Sequence, residues 1–104
     1  MHDLRRAADV SKLQLDDIFT DLPQGSTSCV LSDDINNVRT TVEFDSDEFP
    51  HVVIYTPPAP RRAICIEPYT CPTDALNLQA RGINSNVLVL EPGSELNFMI
   101  SIYG

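Results

Sequence analysis

Period-two alternation between closely spaced turn signals is the strongest constraint on this chain. Val38, Thr40, Val42 and Phe44 alternate with Arg39, Thr41 and Glu43, which is the pattern of a strand with one wet face. Leu96, Phe98, Ile100 and Ile102 alternate in the same way with Asn97, Met99, Ser101 and Tyr103. The runs Val52-Val53-Ile54-Tyr55 and Val87-Leu88-Val89-Leu90 are apolar on both faces, which suits covered strands. With Thr27–Leu31 and Ala63–Glu67 these make six expected strands at roughly ten-residue spacing. Pro23-Gln24-Gly25-Ser26, Ser32-Asp33-Asp34, Asn36-Asn37, Asp45–Glu48, Pro57-Pro58-Ala59-Pro60 and Pro92-Gly93 separate them, and each is a turn or breaker signal. The pattern predicts an all-β fold, an antiparallel β-sandwich. Leu15, Ile18, Phe19 and Leu22 fall at helical spacing and predict one or two amphipathic helical turns. Residues 1–14 have mixed charge and weak periodicity, so a short helix or a flexible arm is expected there.

A chain of 104 residues is expected to form one domain, residues 1–104. Fifteen acidic against seven basic residues give a net charge of -8. Such a field disfavours nucleic acid and anionic lipid, whose binding depends on cationic side chains, but it does not repel neutral sugars. No apolar stretch approaches the length of a membrane span and no leader is visible. Three cysteines, Cys29, Cys65 and Cys71, make an odd count. A reducing, cytoplasmic setting is the simplest expectation, with a Cys65–Cys71 disulfide left open. No zinc-ligand spacing is present and no cofactor motif is visible.

Chemistry concentrates in the stretch from Ile64 to Asn77. Ile64 and Ile66 fall on one face of the expected strand, and Ala63, Cys65 and Glu67 on the other. Glu67 stands at the strand end beside small residues. Pro68 biases it toward extended backbone and is expected to stop the sheet ladder there. A loop opens at once, which makes the corner a plausible site; the plain alternative is a rim carboxylate. Asp74 and Asn77 follow in that loop, where turn chemistry explains them equally well. Tyr69 and Tyr55 are either sugar-stacking rings or strand filler.

Cys65-Ile66-Glu67-Pro68 and Pro72-Thr73-Asp74-Ala75-Leu76-Asn77 resemble the aldose 1-epimerase (galactose mutarotase) family. The flanks are similar too. Leu88-Val89-Leu90-Glu91-Pro92-Gly93 looks like the family's turn before its last strand, and Asp16-Asp17-Ile18-Phe19 like its Asp-x-x-Phe element. The resemblance covers about Leu15 to Tyr103 and corresponds to the C-terminal third of such a protein. It implies a galactose-mutarotase-like supersandwich, present in part. It implies Glu67 as the general base that takes the C1 hydroxyl proton of an aldohexose. Asp16, Tyr69, Asp74 and Asn77 would contact the sugar. Asp17 stands where the family often has a histidine.

The family's acid is a histidine of the upstream portion. The chain carries His2 and His51, and neither matches that motif. His2 is expected in the solvated arm and His51 in strand-start packing. The expectation is therefore an isomerase-like protein that binds a hexose with weak or no anomer interconversion. The alternatives are a non-catalytic, self-assembling β module on the same scaffold, or an epimerase completed by a partner chain. Residues 52–55 and 87–90 have no polar face to turn outward, so a homo-oligomer is expected.

Overall fold

A computed structural model of the chain describes residues 3–104. After a 3-10 turn at Val10–Lys12 come β1 (Asp16–Phe19), β2 (Ser26–Asp33), β3 (Val38–Asp45), β4 (His51–Tyr55), β5 (Cys65–Tyr69), α1 (Ala75–Ala80) and β6 (Ile100–Tyr103). The strands build two antiparallel sheets, β1-β4-β5 and β2-β3-β6. The fold is mostly β, with one helix among the described residues.

The β2–β3 hairpin shows how local chemistry sets register. Asp33 closes it opposite Val38. Its carboxylate accepts the backbone N–H groups of Ile35 and Asn36 at 3.1 and 3.2 Å and the Asn36 amide at 2.7 Å. Asn37 takes the left-handed conformation at φ 53°, which asparagine tolerates better than most residues. At the far end Ser26 pairs with Asp45, and the Asp45 carbonyl accepts the Phe49 N–H at 2.8 Å.

Core residues come from both sheets: Leu15, Val42, Phe44, Phe49, Val52 and Ile54 form one buried cluster. Each contributes about 1.5–3 kcal/mol by leaving water. Leu4, Leu13, Phe19, Leu22, Cys29, Ile64 and Ile66 pack around it. Two leucines of the N-terminal stretch thus contribute to the core margin. His2, expected in the arm, lies outside the described residues.

Several local expectations are corrected. Residues 16–19 form a strand and not helical turns, because β4 offers them a ladder from Asp16↔Tyr55 to Phe19↔Val52. Residues 87–90 belong to neither sheet, and Leu88, Val89 and Leu90 are exposed. The expected strand over 96–103 pairs only at Ile100–Tyr103. The loop beyond Pro72 contains α1, built from Ala75, Leu76, Leu78, Gln79 and Ala80 around Asn77, mostly strong helix formers.

Candidate functional site

Cross-strand register decides which side chains share a face. Val53 faces Glu67, His51 faces Tyr69 and Tyr55 faces Cys65 across the β4–β5 ladder. Val52 and Ile54 point into the core, so alternation places His51, Val53 and Tyr55 on the outer face of this sheet. Glu67 and Tyr69 share that face with them. The Tyr69 hydroxyl lies 3.5 Å from Glu67 Oε1, long for a hydrogen bond. His51 is the diagonal neighbour of Glu67, a relationship that spans about 7–8 Å between backbones and is within reach of long side chains.

The ladder does not stop at Pro68. It runs on through Val52↔Pro68 to His51↔Tyr69. Strand β5 is an edge strand, where a residue without an N–H is tolerated on the unpaired side.

His51 is only 8% exposed although it faces away from the core. Asn86 explains part of this: its amide Nδ2 donates to His51 Nε2 at 3.1 Å. An amide N–H can only donate, so Nε2 accepts and the ring proton resides on Nδ1. Nδ1 is buried without a hydrogen-bond partner. Burial lowers the imidazole pKa from its ordinary 6.5, because desolvation disfavours the cation. Ser85, which precedes Asn86, is itself buried and donates to the Ala75 carbonyl at 2.8 Å. That bond ties the start of α1 to the segment lying against His51. Beside His51 and Asn86 is an open depression of about 290 Å³, with Asp21, Gln24, Ser46 and Asp47 among its walls. Glu67 and Tyr69 do not line it.

The remaining sequence candidates are dispersed. Asp16 faces Tyr55 on the same outer face as Glu67, but two strand spacings away, about 10 Å laterally. Asp74 and Asn77 are bonded to each other: the Asn77 amide donates to Asp74 Oδ1 at 2.6 Å. Asp74 precedes α1 in the left-handed conformation at φ 67°. Sequence reasoning missed Asn86, since nothing in a separation of 35 residues announces a contact with His51.

The three thiols are free, and burial raises the Cys29 pKa, which makes that sulfur a poor nucleophile. Among the described residues no group of three His, Cys, Asp or Glu side chains is placed to hold a metal ion. No helix among them is long and apolar enough to cross a membrane. Compared with known proteins, the chain matches no family model and no solved structure.

Proposed function

We propose that the β5 side of the outer face of β4 and β5, where Glu67 and Tyr69 are half-buried beside the covered His51 and Val53 of β4, binds a neutral hexose and interconverts its anomers weakly or not at all. The observation that carries this reading is that Glu67, Tyr69 and His51 share one face at adjoining register positions. A carboxylate accepts hydrogen bonds from sugar hydroxyls, and a tyrosine ring offers an apolar plane to the sugar C–H groups. A net charge of -8 does not oppose a neutral ligand. In this reading Glu67 is the general base, as the resemblance to aldose 1-epimerases implies, and the sheets are a portion of a galactose-mutarotase-like sandwich. Asp16 lies too far across the sheet to act beside Glu67 and would touch only the far end of a bound sugar.

The same geometry argues against efficient turnover. Anomer exchange needs an acid at the ring oxygen as well as a base at the C1 hydroxyl. With its pKa held below 6.5, His51 is neutral at neutral pH and carries no readily given proton. Three free thiols suit a reducing compartment, and a cytoplasmic location belongs to this proposal.

Two-dimensional NMR of the labelled chain with glucose and with galactose tests the binding. The expected result is shift changes centred on Tyr69 and His51, lost in Glu67→Gln, with no acceleration of mutarotation by polarimetry. Equal shifts in Glu67→Gln, or none at tens of millimolar sugar, would overturn the reading.

A further inference from the structure

We infer that two copies of this chain pair through β6 and the apolar stretch that leads into it. This contact is independent of the sugar reading. The register Val42↔Ile102 and Phe44↔Ile100 places both isoleucines on the core side of their sheet, because Val42 and Phe44 point there. Yet Phe44 is 3% exposed and Ile102 is 70% exposed. The core that closes over β3 stops short of β6. Phe98 marks the boundary, its ring packed edge-on against Phe49 at 5.4 Å between centroids.

The strand is open on a second side. The sheet order β2-β3-β6 makes β6 an edge, and an edge strand presents unpaired N–H and C=O groups. Proteins usually protect such edges with lysine, proline or inward charges. The stretch Leu96-Asn97-Phe98-Met99-Ile100-Ser101-Ile102-Tyr103 contains none of these.

Area is consistent with a dimer. The chain exposes 8063 Å², where a folded monomer of 11.5 kDa is expected to expose about 5,800 Å². Its radius of gyration is 15.6 Å, against about 13 Å for a compact domain of this length. Nine large apolar or aromatic side chains between Leu88 and Tyr103 are exposed; at about 150–200 Å² for a whole side chain they leave about 800–1,000 Å² open, divided between the two faces of the stretch. A specific dimer buries about 800 Å² per partner.

The occupant that fits is a second copy. A two-fold axis sets β6 antiparallel to its mate, edge to edge, and brings the Ile100–Ile102 row beside the same row of the partner. The contact is isologous and apolar to apolar. It is also uncharged, so two chains of charge -8 can meet there while their charged surfaces stay apart. Residual repulsion is screened by salt, so salt strengthens the pairing.

Sedimentation equilibrium of the full chain decides the matter, beside Ile102→Lys and a control, Ile35→Lys, at a 95% exposed position in the β2–β3 turn. The expected result is twice the chain mass for the wild type and for Ile35→Lys, with a tighter dimer at higher salt. Ile102→Lys is expected to keep its β circular dichroism and to weaken pairing at least about tenfold. A monomeric wild type overturns the inference, as does a dimer unaffected by Ile102→Lys or weakened equally by Ile35→Lys. If Ile102→Lys fails to fold, Ile102→Thr, which keeps a β-branched side chain in the same row, provides the same readout. A dimer that salt weakens also overturns the inference, because screening strengthens an uncharged contact between two like-charged chains.

Discussion

Leu15 and Thr56 grip each other by two hydrogen bonds at the end of the β1–β4 ladder. The Leu15 N–H donates to Thr56 Oγ1 at 2.8 Å, and the Thr56 N–H donates to the Leu15 carbonyl at 2.8 Å. Leu15 is fully buried, so its N–H has no water to turn to. Thr56→Val keeps the side-chain shape and removes the acceptor. It is expected to cost about 1–3 kcal/mol, the penalty of an orphaned buried donor. Thr56→Ser should recover most of that. Urea unfolding of the two variants beside the wild type measures the difference.

Phe49 packs edge-on against both Phe44, at 6.1 Å, and Phe98, at 5.4 Å. It is buried where Phe98 is partly exposed. Phe49→Ala is expected to lose about 3–5 kcal/mol, a large share of a small domain's stability. Phe98→Ala should cost far less. If the two cost the same in thermal unfolding, the core does not end at Phe98 as described.

Ser85 links α1 to the segment that covers His51. Ser85→Ala removes the donor to the Ala75 carbonyl and is expected to cost about 1 kcal/mol. The sharper readout is local: amide hydrogen exchange should rise across 75–86 and stay unchanged in the β2–β3 hairpin.

Burial of His51 sets a pH dependence with a definite sign. Its folded pKa lies below 6.5, so the unfolded chain takes up the proton first as pH falls. Stability from this group is complete above 6.5, declines as pH falls through that value, and levels off below the folded pKa. His51→Gln should flatten that limb. A second decline below 3.8 should remain, because hydrogen bonds hold the Asp3, Asp9 and Asp33 carboxyls below their ordinary value. Denaturant midpoints across this range, with an NMR titration of the His51 ring, check both.

Long, regular alternation was legible only in part: the expected strand over 96–103 pairs only at Ile100–Tyr103, and in β3 Val38 is exposed while Thr41 is buried. The β3 pattern marks Val42 and Phe44 as inward, and both are buried. The doubly apolar run at 52–55 is covered on both faces from Val52 to Ile54. Short elements were not legible. Over the four residues of β1 a period of two and a period of 3.6 cannot be told apart, and only pairing with β4 decides. The doubly apolar run at 87–90 has strand composition but no ladder partner, and composition cannot supply one. Helix α1 carried a readable signal in its helix formers, outweighed by the turn residues around it. Within the candidate site, alternation gave the face on which Glu67 lies, but the strand runs on past Pro68 to Tyr69 instead of ending there. The proximity of His51 and Asn86 is purely tertiary.

The strand pairs also differ in how far the chain must travel to build them. Strands β2 and β3 are joined by a short turn between Asp33 and Val38, whereas Leu15 and Thr56 meet across 41 residues. Hairpins of the first kind close in about 1–10 μs, while long-range pairing waits for loop-closure entropy to be overcome. The β2–β3 hairpin is thus expected to gain amide protection first in pulse-labelled refolding. The β1–β4 pair and the still longer-range β3–β6 pair, and with them the burial of Leu15, are expected to form after it.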